Sequence, residues 1–176
     1  MLLGRSYGTV LVSCFLLRHD PIVKAGVLYA PLRDIHQYVD EKTMVNARKM
    51  IAEGHGGEIT YVPAPSAPGP PGPNVAYTYS VLVDKLAPES PANAVELLKG
   101  LRGVPVLGLR DPADPLPGTV PPAQALLQAA DPELDYVLMP DVRDGKKSFG
   151  AHFFEGRETE ALAITLDWLK AHQLAP

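Results

Sequence analysis

The chain has 176 residues, of which 46% are hydrophobic, and its formal net charge at pH 7 is −4. This length suits one ordinary globular domain with a sizeable core. Scattered basic residues and a net negative charge exclude the electrostatic footprint of a protein that binds nucleic acid or an anionic membrane. We therefore expect neither partner.

Cysteine content and apolar runs set further bounds. The single cysteine, Cys14, excludes an internal disulfide, and no cysteine and histidine spacing suits a zinc site. No signal peptide and no apolar run of 18 residues are found in the sequence. The chain as given is expected to be cytoplasmic, with no structural metal.

The first motif occupies residues 4–8, which read Gly-Arg-Ser-Tyr-Gly. A Gly-x-Ser-x-Gly pentad between a strand and a helix is typical of a nucleophile elbow, with the serine on a sharp turn. Residues 1–4 are predicted to form the strand, and residues 8–18 the helix. Ser6 is then a candidate nucleophile, and the Tyr7 N–H at the start of the helix is the candidate first oxyanion donor.

Residues 22–30 follow as a second strand, which is apolar enough to be buried on both faces of a parallel sheet. Residues 32–100 are polar and interrupted, with helices predicted at 40–53 and 93–101. Residues 63–73 contain six prolines, which excludes a helix or a central strand there. We interpret 32–100 as a cap or lid inserted between strands.

The sheet pattern returns at residues 104–109 and again at 135–139. The first of these strands leads into a turn that contains Asp111 and Asp114, and a helix is predicted at 121–130. The second strand leads to a loop containing His152 and a final helix at 157–172. The prediction is an α/β fold with a mostly parallel sheet of about four strands in chain order and flanking helices.

The whole chain resembles the C-terminal half to two-thirds of an α/β-hydrolase. The resemblance is carried by the pentad at 4–8, by the strand leading to Asp114-Pro115, and by Gly150-Ala151-His152 before the final helix. It implies core segments at 1–31 and 101–176, with the cap at 32–100 between them.

The same resemblance implies roles for three residues. Ser6 would be the nucleophile, His152 the general base, and Asp114 the acid that orients the imidazole. The implied activity is cleavage of a carboxylic ester or related small acyl compound through an acyl-enzyme, with no cofactor.

Each role has competitors in the sequence. Asp111 lies in the same turn as Asp114 and directly follows the strand. His152 could instead be a loop histidine packed between Phe149 and Phe153. Ser13 lies on the first helix without an elbow. The other histidines suit surface or helix-end positions, and they are His19, His36, His55 and His172.

The chain departs from the family at its start, where three residues precede Gly4. Several strands precede the elbow in these hydrolases, and they supply a second oxyanion donor whose loss costs on the order of 10² to 10³ in rate. We therefore expect weak turnover by this chain alone, an exposed edge at strand 1–4, and homo-oligomerisation through that edge. The alternative function is a non-catalytic module that associates through this edge and the proline-rich loop.

Overall fold

The structure is a computed structural model that describes residues 1–18, 22–31, 39–63, 74–90, 94–101, 103–116, 122–131 and 133–174. The chain divides into two compact units. The first unit comprises Met1–Arg33 and Ala94–Pro176, and the second comprises Asp34–Asn93.

The first unit alternates strands and helices. Its described elements are β1 (Leu2–Arg5), α1 (Tyr7–Arg18), β2 (Gly26–Tyr29), α4 (Ala94–Lys99), β5 (Val106–Arg110), α5 (Pro122–Ala130), β6 (Leu134–Leu138), a 3-10 helix (Phe149–Phe153) and α6 (Glu158–Ala171). The elements of the second unit carry the intervening numbers α2, β3, β4 and α3.

The four strands of the first unit form one parallel sheet in the order β1-β2-β5-β6. The predicted α/β fold with a parallel sheet in chain order is confirmed. The strand bounds differ most at β2, which begins at Gly26 instead of residue 22. Ile22 is 88% exposed, so its apolar side chain was misleading as a strand signal.

The core of this unit lies on both faces of β2 and β5. All five residues of β5 are buried, as a central parallel strand requires. On one side, Val27 and Leu107 pack with Trp168 and Leu169 of α6. Burial of these side chains, at about 2 kcal/mol for each large aliphatic one, holds the helix on the sheet.

The inward face of α6 differs in part from the predicted one. The leucine spacing predicts Leu162, Leu166 and Leu169 on one face of this helix, and Leu169 is buried whereas Leu162 and Leu166 are exposed. The buried face contains Trp168 and Leu169 together with the smaller Ala161 and Thr165. The smaller residues allow the helix to approach the sheet closely, and the Thr165 hydroxyl hydrogen bonds to the Tyr29 hydroxyl at 2.7 Å.

The second unit contains α2 (Glu41–Ala52), β3 (Ile59–Pro63), β4 (Asn74–Thr78) and α3 (Tyr79–Leu86). Strands β3 and β4 pair antiparallel, which the prediction of a helical insertion missed. Asp40 caps α2 by accepting a 2.7 Å hydrogen bond from the Thr43 N–H, and this bond lowers the pKa of Asp40.

Two predictions for this segment stay predictions. Its role as a cap over a site is one of them. The other is the irregular structure of the proline-rich stretch, because β3 ends at Pro63 and residues 64–73 lie outside the described part of the chain.

Candidate active site

Ser6 occupies the sharp turn between β1 and α1 with a φ of 54°, in the left-handed region that a serine rarely adopts. Its N–H donates to the Tyr29 carbonyl at 2.9 Å, which extends the pairing of β1 with β2. Its carbonyl accepts from both the N–H and the hydroxyl of Thr9, at 2.9 and 2.6 Å. These bonds hold a conformation that costs about 1–3 kcal/mol.

The two glycines of the pentad differ in whether the surrounding space would admit a side chain. A Cβ at Gly4 would collide with the backbone carbonyl of Gly8 and with the Val12 side chain. A Cβ at Gly8 would meet nothing within 4 Å. The need for a small residue is therefore steric at position 4 only, where strand and helix backbones approach each other.

Asp114 lies in the turn after β5 and is completely buried. One carboxylate oxygen, Oδ1, accepts from the Leu116 N–H at 2.9 Å. The other, Oδ2, lies 2.9 Å from Nδ1 of His152. This contact suits the tautomer of His152 that has its hydrogen on Nδ1, in which Nε2 is left to accept a proton.

Asp111 lies in the same turn and has a different partner. Its Oδ1 accepts from the Ala113 N–H at 2.8 Å, and its Oδ2 accepts from Nη1 of Arg157 at 3.0 Å. Arg157 also holds Glu160 through two hydrogen bonds of 2.8 and 2.9 Å. Burial opposes the charge of Arg157, but the hydrogen bonds to Glu160 and Asp111 outweigh it and raise the pKa of Arg157.

His152 lies in the 3-10 helix Phe149–Phe153, an element that the sequence did not predict. The residue is 1% exposed, and its ring packs against Phe149 and Phe153 with centroid distances of 6.0 and 5.1 Å. Packing between these two phenylalanines and pairing with Asp114 therefore occur together.

The elbow and the histidine loop contact each other through neighbouring residues. The guanidinium of Arg5 lies 5.0 Å from the centre of the Phe153 ring, and its Nη1 lies 3.5 Å from the Phe153 carbonyl. These two residues directly flank Ser6 and His152. No hydrogen bond joins Ser6 to His152, although both side chains belong to the described residues.

Arg110 is a member of this cluster that sequence reasoning missed. It ends β5, its side chain is 0% exposed, and its Nη2 lies 3.2 Å from the same Asp114 Oδ2 that faces His152. Within the described residues its guanidinium forms no hydrogen bond of good geometry, so its contact with Asp114 is an ion pair. A basic residue four positions before Asp114, at the end of an apolar strand, was the available signal.

Tyr136 on β6 lies beside the buried cluster of Arg110, Asp114 and His152. Burial raises the pKa of its hydroxyl, and the nearby Arg110 charge acts in the opposite direction. Although Arg110 is near enough to influence it, the hydroxyl forms no hydrogen bond with any described residue.

The competing residues lie elsewhere. The Ser13 hydroxyl is buried and donates to the Thr9 carbonyl at 2.9 Å. His55 pairs with Glu58 in the second unit, and His172 pairs with Asp135 at 2.9 Å. His19 and His36 fall outside the described residues.

Tyr7 is the first residue of α1, directly after Ser6. In the described ranges, no three histidine, cysteine, aspartate or glutamate side chains gather closely enough to hold a metal ion. No helix of the described residues has the length and apolar character needed to cross a membrane.

The sequence matches no protein-family model and no curated protein. Solved structures do match. One is the Mycobacterium tuberculosis H37Rv protein BpoC, named as a non-heme bromoperoxidase, at 15% identity and a TM-score of 0.51. Another is Rv0554 of Mycobacterium tuberculosis, at 15% identity and a TM-score of 0.52.

Each match covers 96% of this chain, which spans 66% and 64% of the length of the two structures. The bromoperoxidase has the α/β-hydrolase fold. The parallel sheet, its flanking helices and these two matches together identify the chain as having part of the α/β-hydrolase fold.

Proposed function

We propose that the chain is a serine hydrolase that cleaves a carboxylic ester or a related small acyl compound through an acyl-enzyme intermediate. The observation that carries the proposal is the buried 2.9 Å contact between His152 Nδ1 and Asp114 Oδ2. The α/β-hydrolase fold and the strained turn at Ser6 support it, because such turns occur where a nucleophile must be exposed.

In the proposed reaction, Ser6 Oγ attacks the carbonyl carbon of the substrate while His152 Nε2 takes the hydroxyl proton. Asp114 stays a carboxylate, accepts the hydrogen bond from the Nδ1–H of His152 and stabilises the imidazolium. Collapse of the tetrahedral intermediate breaks the bond to the leaving oxygen, which receives the proton from Nε2. Water then attacks the acyl-enzyme by the same proton route and releases the acid and free Ser6.

Negative charge develops on the carbonyl oxygen during each attack. The Tyr7 N–H is the donor we assign to it, since Tyr7 begins α1 directly after Ser6 and a helix N-terminus favours negative charge. The Ser6–His152 hydrogen bond is expected to form with substrate, because these bonds are often long in substrate-free enzymes.

The test is labelling by a fluorophosphonate probe, together with turnover of p-nitrophenyl acetate. Labelling consumes one probe per site and therefore detects a slow enzyme as well as a fast one. The parent chain should be labelled, and Ser6→Ala should not. Ser13→Ala is the matched control, since Ser13 lies on α1 and its hydroxyl is bonded to Thr9. Equal labelling of parent and Ser6→Ala would contradict the proposal.

A second candidate function is association without catalysis, which one observation favours. Strand β1 lies at one edge of the described sheet, and apolar side chains of β1 and α1 are exposed, among them Leu3, Leu11 and Phe15. An unpaired strand edge beside apolar surface favours pairing with another chain, here a second copy.

Light scattering across a range of protein concentrations tests this association. The parent should form dimers or larger species, and Phe15→Glu should shift the average mass towards the monomer. Leu162→Glu is the control, because Leu162 is an exposed leucine on α6. A parent that is monomeric at all concentrations would contradict this second candidate.

A further inference from the structure

Two groups approach the same oxygen of Asp114. His152 Nδ1 lies 2.9 Å from Oδ2, and Arg110 Nη2 lies 3.2 Å from it. Because each lies so close to one oxygen, the two nitrogens are at most about 6 Å apart. All three side chains are buried, so solvent screens their charges little.

Arg110 carries its charge at every relevant pH, because the guanidinium does not lose its proton in proteins. Its ion pair with Asp114 already balances the buried carboxylate while His152 is neutral. Protonation of His152 would add a second cation beside Arg110, and the group of three would then have a net positive charge.

We propose that Arg110 is a positioning residue, which balances the Asp114 carboxylate and opposes protonation of His152 in the free enzyme. His152 therefore stays available as a base at lower pH than an isolated Asp–His pair would allow. This inference rests on the proposed function, since it concerns a histidine that must be neutral to accept the Ser6 proton.

Other titratable and charged groups around the cluster should influence protonation of His152 less than Arg110 does. Tyr136 on β6 is neutral at physiological pH, since burial raises its pKa. Arg157, directly before α6, is already paired with two carboxylates. Arg5 on β1 and Lys147 are exposed, so solvent screens them. Among the described residues, Arg110 is the buried permanent cation in direct contact with Asp114.

The experiment compares four variants of the full chain. Arg110→Met and Arg110→Gln remove the charge, and Arg110→Lys keeps it. Arg157→Met is the matched control, because Arg157 is the other buried arginine paired with an aspartate of this turn. ¹⁵N NMR gives the pH midpoint of the His152 ring titration, and fluorophosphonate labelling gives the pH dependence of Ser6 reactivity.

Loss of a unit charge within about 6 Å of a buried imidazole should raise the titration midpoint by about one to two pH units. The acidic limb of the labelling profile should move upward by the same amount in both neutral variants. Arg110→Lys should restore most of the parent profile. Arg157→Met should shift the midpoint by less than about a third as much.

Folded neutral variants with an unchanged midpoint would overturn the proposal, and so would an equal shift in Arg157→Met. If both neutral variants unfolded while Arg110→Lys folded normally, Arg110 would serve stability and the proposal would also fail. A shifted midpoint without any labelling would contradict the proposed function but support the charge coupling. Labelling with an unshifted midpoint would support the proposed function but contradict the charge coupling.

Discussion

The elbow after β1 and the turn after β5 both lie at the carboxyl end of the sheet, but different forces hold them. Backbone fit holds the elbow, where Gly4 touches Gly8 and hydrogen bonds keep Ser6 at a positive φ. Charge holds the turn, where Asp111 pairs with Arg157 and Asp114 with its two partners. The elbow should therefore respond to side-chain volume, and the turn to charge and pH.

The two carboxylates of the turn, those of Asp111 and Asp114, have different partners. Asp111 and Asp114 are three residues apart and equally buried, yet Asp111 meets Arg157 at the start of α6, whereas Asp114 meets a histidine as well as Arg110. A permanent cation gives a structural pair, whereas an imidazole gives a pair that can take up and release a proton. The identity of the partner therefore separates the roles of two similar carboxylates.

The largest expected effect is that of Asp114→Asn on reactivity. An asparagine can stabilise the wrong tautomer of His152, and we expect labelling and ester turnover to fall by about 10³ to 10⁴-fold. Asp111→Asn should stay within about tenfold of the parent, because Asp111 does not contact His152. Circular dichroism should confirm that both variants are folded. Equal losses in the two variants would contradict the assignment of Asp114.

The next effect concerns stability. Arg157→Met leaves the Asp111 carboxylate buried without its cation, and the free energy of unfolding should fall by about 3 kcal/mol. Because the raised pKa of Arg157 lies far above neutrality, the arginine stays protonated in both folded and unfolded states. Titration of Arg157 should therefore add no pH dependence to the loss between pH 6 and 9. Urea unfolding measures it, and a loss below about 1 kcal/mol would show that the pair contributes little.

At the elbow, volume should matter and charge should not. Gly4→Ala forces a Cβ into the Gly8 backbone, and we expect a loss of about 2 kcal/mol or more in the free energy of unfolding. Gly8→Ala should be neutral, or more stable by up to about 1 kcal/mol, because alanine favours the helix and the space is open. Thermal unfolding compares the two. Equal destabilisation by both would refute the steric account of the pentad.

The smallest effect is expected at Tyr136, whose buried hydroxyl has no hydrogen-bond partner among the described residues. Tyr136→Phe should change the free energy of unfolding at pH 7 by less than about 1 kcal/mol. Burial raises the pKa of Tyr136 above its ordinary value of 10 in the folded state. The folded chain then holds the proton more tightly, so stability falls as the pH rises above 10.

Tyr136→Phe should reduce that alkaline loss, and unfolding curves at pH 9, 10 and 11 provide the measurement. Tyr77→Phe in the second unit is a matched comparison. Burial raises the pKa of Tyr77 as well, so this variant should also reduce the alkaline loss. A parent and a Tyr136→Phe variant with the same alkaline loss would mean that Tyr136 does not carry it.

The sequence predicts the sheet well because its strands are apolar runs that parallel sheets require. The strand order, the elbow at Ser6 and the helix after it could all be read from local patterns. The turn with Asp111 and Asp114 followed from its place after a strand, and the resemblance to α/β-hydrolases favoured Asp114 over Asp111. The individual strands, the elbow and the turn depend on residues that are adjacent in the chain, and the strands pair in their chain order.

What the sequence could not predict depends on contacts between distant residues. The leucine spacing of α6 identified only part of the buried face, because Leu169 is buried beside Ala161, Thr165 and Trp168 whereas Leu162 and Leu166 are exposed. The hairpin of β3 and β4 was missed, since its strands are half-exposed and separated by prolines. Arg110 was missed because no local rule expects a cation inside a strand with a fully buried surface.

The most direct test of the account is to locate the fluorophosphonate on the chain. Cleavage after Arg5 and Arg18 releases a peptide from Ser6 to Arg18 that contains Ser6 and Ser13, and fragment masses separate the two serines. The adduct should be on Ser6 in the parent and nearly absent in His152→Ala. An adduct on another residue, or one on Ser6 that forms equally fast without His152, would contradict the account.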